Sequence, residues 1–212
     1  MPTERRLIAH PHEIAGFLAG TQTQFRRVVD PQPVSTPNVS GGLMWGHDKL
    51  GGMFAESVFP GCLAKLVACP YGEPGDRLWL AEAWCGYEGT RRGYFKADMV
   101  YWDHIANKPV GSPGEPENCR WRSPIHMPRW AARITLEVTA VRVERVQEIS
   151  DSDAFADGLQ AYVDTTRGRT GGDGSARYTY AAMWDKYNPL HPWKSNPWVW
   201  VCEVRKAVAG DY

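Results

Sequence analysis

Seven consecutive residues, Thr21 to Arg27 (TQTQFRR), carry two hydroxyls, two amides and two guanidiniums. Hydroxyls and amides both donate and accept hydrogen bonds. Thr21, Gln22, Thr23 and Gln24 therefore suit the edge of an uncharged heterocycle. Arg26 and Arg27 could hold a phosphate or carboxylate bidentately. If the segment is a strand, neighbouring side chains face opposite ways, so one of the two arginines is expected to face a pocket. Taken alone, a solvated loop with surface arginines is the simpler reading.

Other stretches carry separate chemistry. In SPIHMPRWAAR, His126 and Arg129 straddle a Met-Pro pair beside Trp130. They could form a stacking and phosphate corner, or a rigid turn whose Trp fills the core. Glu82 shares a strand face with Leu78, Leu80 and Trp84, and an inward carboxylate needs a partner or a task. Asp157 precedes Gly158 on a short helix, where a carboxylate is ordinarily solvated. Trp193 lies on a loop where it could stack, although core packing is the simpler role for this Trp-rich end. RGRTGGDGS is glycine-rich but lacks GK[ST], and reads as a mobile loop before a phosphate cradle. Nothing matches a P-loop, a dinucleotide fingerprint, HExxH or a G-x-S-x-G elbow.

The elements that must position these residues follow from periodicity. Residues 5–20 suggest a helix with Pro11 as a candidate true start and Gly20 as its stop. Gln24 to Val29 suggest a strand. Met44–His47 and Met53–Phe59 suggest short strands around Gly51-Gly52, and residues 94–102 another. Ala131 to Glu148 is the clearest strand, with a kink near Ala140. Ser150 to Asp153 cap a helix from about Ala154 to Tyr162. Tyr178 to Tyr187 reads as an aromatic helix. Asn196 to Lys206 reads as a strand with Trp198, Trp200, Cys202 and Val204 on one side. No βαβ rhythm appears, which suggests a small mixed or antiparallel β-barrel with helices outside.

The 212 residues balance 24 Lys+Arg against 24 Asp+Glu, so no global field steers the chain onto a polyanion. No apolar run approaches the ~20 residues that span a bilayer. The N-terminal stretch lacks the apolar core of a secretion signal, so a cytoplasmic location is expected. Five cysteines at irregular spacing argue against a disulfide framework, and no CxxC or HxxxH pair suggests a metal. No metal, cofactor or obligate protein partner is expected. Ten Trp, nine Tyr and six Phe supply core area first and stacking surfaces second.

Several of these stretches together resemble one family. LAGTQTQFRRVV resembles the LxGxKTxTxR segment that opens ASCH domains of the PUA-like superfamily. CPYGEPGDRLWLAEAW resembles the GDRLWVRE segment of long, phage-type ASCH proteins. SPIHMPRWAARITLEVTAVRVERVQEIS, DAFADGL, MWDKYNP and WKSNPWVWVCEV follow in the order those proteins show. Each piece is weak alone; the joint match spans nearly the whole chain. The resemblance implies an α+β fold, a PUA-like mixed/antiparallel β-barrel with flanking helices and long loops. It implies a single domain over 1–212, with loop insertions near 30–60, 104–124 and 163–177.

Some short ASCH members are amidohydrolases that deacetylate N4-acetylcytidine, using a Lys, a Thr and a helix Glu. Ungapped placement puts Gln22 at the Lys position, Phe25 at the Thr position and Asp157 at the Glu position. Gln is no base and Phe no nucleophile. Thr21 or Thr23 with another base, or direct attack by water, would have to replace them. The resemblance thus implies Thr23, Glu82 and Asp157 as candidate catalytic residues and Gln22, Phe25, Arg26, Arg27, His126 and Arg129 as candidate binding residues. Lys96 is a candidate replacement cation. The expected function is removal of acyl groups from N4-acylated cytosine nucleosides. The alternative is a non-catalytic module for a modified nucleoside or short single-stranded RNA. A ribonuclease built on His126 and Arg129 is a weaker third reading.

Overall fold

The computed structural model describes residues 2–35, 43–44, 68–86, 92–97, 101–103, 108–109, 120–166 and 176–207. The alternating stretches before and at the C-terminal end become its two longest strands. They are β10 (Thr135–Arg145) and β11 (Trp198–Lys206), paired antiparallel. Their register shifts between Val138 and Ala140, where the sequence suggests a kink. Trp198, Trp200, Cys202 and Val204 of β11 join one core, and Val199 and Val201 join another. Apolar residues on both faces therefore make this strand the partition between two cores.

β1 (Glu4–Ile8), β2 (Gln24–Val28) and β5 (Arg77–Ala81) complete a five-stranded sheet in the order β1-β5-β10-β11-β2. Residues 4–8 are thus a strand, not the first turns of a helix. Leu7 is the buried position in an otherwise largely exposed stretch, the alternation of an edge strand. β1 runs parallel to β5, so the sheet is mixed. Helix α1 spans Pro11–Ala19, starts at the proline and stops at Gly20, whose φ of 72° closes it.

Shorter strands are β3 (Val34–Ser35), β4 (Leu43–Met44), β6 (Trp84–Gly86), β7 (Arg92–Phe95), β8 (Tyr101–Asp103) and β9 (Lys108–Pro109). The last four form a second sheet in sequence order. The fold is α+β. Among the described residues the strands do not close into a barrel. The suggested strand Met53–Phe59 lies outside the described residues, as does most of each suggested loop insertion.

After β10 the chain makes three helices. α2 is Asp151–Ala156, capped by Ser150 Oγ, which accepts from Asp153 N at 3.1 Å. α3 is Leu159–Thr166 and α4 is Ala176–Tyr187. The single helix suggested after the capping serine is therefore broken at Asp157-Gly158. Gly158 has φ 83°, a conformation that a Cβ disfavours. No helix among the described residues is long and apolar enough to cross a membrane. Cys85 takes part in a disulfide, which the irregular cysteine spacing does not suggest. Cys69 and Cys202 are buried free thiols 3.9 Å apart.

Candidate functional site

β2 is an edge strand of the large sheet, and a polar cavity lies against it. Its walls come from His10, His12 and Glu13 at the start of α1, Arg26 and Arg27 of β2, and Asp157. Tyr180, Met183, Trp184, Tyr187 and Asn188 of α4 and its end close it. The helix residues follow from spacing: 180, 183, 184 and 187 share one face of a 3.6-residue helix. Both arginines border the cavity, against the expectation of one, because the cavity sits beside the strand edge rather than over one face. The cavity is partly open and its volume is about 30 Å³, room for a small polar group.

Asp157 is the chemical centre. The helix break turns its carboxyl inward, where it is only 4% exposed. Oδ2 accepts from Tyr180 Oη at 2.5 Å and from Arg26 at 3.3 Å. Burial dominates its titration and pushes the carboxyl up to about 6; Arg26 and Tyr180 pull the other way. Burial and the Asp157 carboxylate together push the Tyr180 hydroxyl well up.

The two guanidiniums are held by internal partners. Arg26 gives Nε and one terminal nitrogen to Glu144 at 3.0 and 2.7 Å, and its other terminal nitrogen to Gln24 at 2.9 Å. Arg27 makes a bidentate pair with Glu13, both bonds at 2.8 Å. That pair holds the buried Glu13 carboxyl down at about 2, even though burial alone would raise it.

His10 and His12 are both shifted downward, chiefly by burial, His12 to about 4. The His10 ring lies 4.2 Å from the Tyr187 ring, and the His12 ring 4.8 Å from it.

The remaining sequence candidates lie elsewhere. Thr23 is exposed; its backbone, not its hydroxyl, is engaged, donating to Ala156 O at 2.9 Å and accepting from Val204 N at 2.8 Å. Thr21 is also exposed. Phe25 is fully buried in the core, edge-on to Tyr71 at 5.6 Å. Gln22 is wedged between two glycines: a Cβ on Gly16 or Gly158 would come within 2.7 or 2.5 Å of its Oε1. Its amide nitrogen donates to Gln24 O at 3.0 Å. The Lys and Thr positions of the resemblance are thus packing positions.

Glu82 lines a different cavity of about 300 Å³ with Ala9, Pro11, Ile14, Lys96 and Pro124. Arg133 clamps both of its oxygens at 2.8 Å. Lys96 is exposed, 6.0 Å from the Trp121 ring.

Arg129 grips both oxygens of Glu4, at 2.8 and 2.6 Å, and His126 is exposed. Glu4 belongs to β1, the edge opposite β2. Four strand spacings put the two edges about 19 Å apart. Trp130 is 41% exposed and so does not fill the core. Trp193 packs edge-on to Tyr180 at 6.1 Å.

Of the nine candidates only Arg26, Arg27 and Asp157 meet at the polar cavity. His12, Glu13, Tyr180, Trp184, Tyr187 and Asn188 are the residues that sequence reasoning passed over. The available signals were the His-Pro-His-Glu start of α1 and the aromatic stripe of α4. Among the described residues no cluster suits a metal ion. No protein-family model, curated protein or solved structure matches the chain.

Proposed function

We propose that the cavity is the active site of an amidohydrolase that removes small acyl groups from N4-acylated cytosine nucleosides, on a PUA-like fold of the ASCH type. The carrying observation is Asp157: a buried carboxyl raised to about 6, facing a polar cavity beside Arg26 and Tyr180. Such a group is half ionised close to neutrality, as a general base that must also act as an acid requires. The described lining holds no Ser, Thr, Cys or Lys, so the nucleophile in this reading is water.

Asp157 takes a proton from water as its oxygen attacks the acyl carbonyl. It returns the proton to the exocyclic nitrogen as the C–N bond breaks, releasing a carboxylic acid and cytidine. Placing Asp157 where the family's helix Glu falls supports the same role. The small volume of the partly open cavity suits an acetyl group better than a bulky aryl group.

Incubation with N4-acetylcytidine and N4-benzoylcytidine, followed by the ultraviolet shift toward cytidine, tests the proposal. Acetyl turnover exceeding benzoyl turnover is expected. No turnover of either at high enzyme concentration refutes it.

The same lack of a side-chain nucleophile favours a second reading, a binding module for a modified nucleoside or short single-stranded RNA. In that case nucleosides shift the fluorescence of Trp184 without being consumed.

A further inference from the structure

Arg27 uses four of its five N–H groups within the fold. One terminal nitrogen donates to Glu13 Oε1 and Arg26 O at 2.8 and 2.9 Å. The other donates to Glu13 Oε2 and Ile8 O at 2.8 and 3.2 Å. Arg26 is similarly committed to Glu144, Gln24 and Asp157. Both histidines are shifted toward their neutral form by burial. Lys186 is not part of the lining; it stands over the Tyr162 and Tyr187 rings at 5.2 and 5.4 Å. Among the described lining residues, therefore, each cation already has a carboxylate. A phosphate or carboxylate entering the cavity would have to displace one of these pairs.

One lining residue is different. His12 is 3% exposed, and its Nδ1 is buried without a hydrogen-bond partner. Its ring orientation is fixed, edge-on to Tyr162 at 5.7 Å and tilted against Tyr187 at 4.8 Å. A buried polar atom without a partner carries a desolvation cost that a complementary ligand atom removes. A neutral imidazole nitrogen pairs with an amide, a ring nitrogen or a carbonyl.

We infer that the cavity takes an uncharged polar edge of its ligand, that of a neutral nucleoside or base, and that His12 Nδ1 reads that edge through a hydrogen bond. The uncharged character of the edge follows from the cavity; the nucleoside as its bearer rests on the proposed function.

The test is calorimetric titration of the full chain with cytidine, N4-acetylcytidine, cytidine 5′-monophosphate and inorganic phosphate. His12→Leu and His12→Asn are measured beside the unaltered protein. Asn places a polar atom close to the position of Nδ1; Leu does not. His12→Leu is expected to weaken nucleoside binding about tenfold, the size of one buried hydrogen bond, and His12→Asn to recover most of it. Leucine also removes an unpaired buried polar atom, so the melting temperature of His12→Leu is expected to match or exceed that of the unaltered protein.

Equal affinity in His12→Leu overturns the inference. So does inorganic phosphate that competes with cytidine at millimolar concentration, a monophosphate that binds tenfold tighter than the nucleoside, or no binding of either nucleoside. Binding that depends on His12 without hydrolysis of N4-acetylcytidine keeps this inference and removes the amidohydrolase reading. Hydrolysis with a KM unchanged in His12→Leu does the reverse.

Discussion

Glu82 and Asp157 are both buried carboxylates beside a guanidinium, yet their surroundings differ in kind. Arg133 serves both oxygens of Glu82 at 2.8 Å, and the guanidinium lies 4.0 Å over the Phe95 ring. Asp157 instead shares Arg26 with Glu144 and Asp153 and meets it at 3.3 Å. A carboxylate gripped through both oxygens by a guanidinium is held in one geometry. A buried carboxylate with a shared and more distant cation keeps the upward shift that burial gives it. The first arrangement organises a fold; the second suits proton transfer.

The sharpest way to break this contrast is to neutralise each carboxylate in turn. Asp157→Asn is expected to lower turnover of N4-acetylcytidine by about 10²–10⁴-fold, the usual worth of a general base. Glu82→Gln is expected to leave turnover within a few-fold but to destabilise the protein by about 3–5 kcal/mol, since it removes one charge of a buried ion pair. Steady-state rates and denaturant midpoints measure both. Equal rate losses would erase the distinction.

Next in size is the pH dependence of stability. Asp157 titrates at about 6 in the fold against 3.8 for the ordinary side chain. Its contribution is complete below about pH 4 and is lost as the pH rises through about 6. A shift of that size corresponds to about 3 kcal/mol. His12 opposes it. Held down to about 4, it contributes above its ordinary value of 6.5 and loses that contribution as the pH falls. The difference between Asp157→Asn and the unaltered protein isolates the first effect. Urea unfolding is expected to show the variant gaining about 3 kcal/mol relative to the unaltered protein from about pH 4 to pH 7.

A smaller effect is expected from Gly158→Ala, which places a Cβ at φ 83° and 2.5 Å from Gln22 Oε1. The cost should exceed about 1 kcal/mol, and part of the catalytic rate should go with it because Asp157 is aimed by this turn. Tyr180→Phe is the mildest change. It removes a hydrogen bond that lowers the Asp157 pKa, so the acid limb of the pH–rate curve should move upward.

The sequence made the frame of the site legible but not its contents. β10, β11 and α4 carry long periodic stretches, and Ser150 announces the helix after β10. These agree with the structure to within a few residues. Residues 5–8 belong to a strand rather than to the expected helix, because so short a stretch with one buried leucine fits a helix start as well as an edge strand. Their partner β5 lies about 70 residues on, and parallel pairing leaves no local signal. Asp157 becomes a candidate only through the resemblance, because a carboxylate beside a short helix carries no signal of being turned inward; the two arginines stand out as a pair on a strand, but nothing local tells a buried pair from a surface one. Thr23 could not be ruled on from sequence. Its outward direction depends on backbone bonds to Ala156 and Val204, far away along the chain. Tyr180, Glu13 and His12 escaped for the same reason. Each matters through a contact across elements, not through its spacing within one.

The most direct test of Asp157 as a base near neutrality is the pH dependence of kcat/KM for N4-acetylcytidine. The predicted curve rises through an acid limb near pH 6, where Asp157 ionises, then levels off, and it disappears in Asp157→Asn. A rate independent of pH between about 4.5 and 8, or a limb retained in Asp157→Asn, would contradict it.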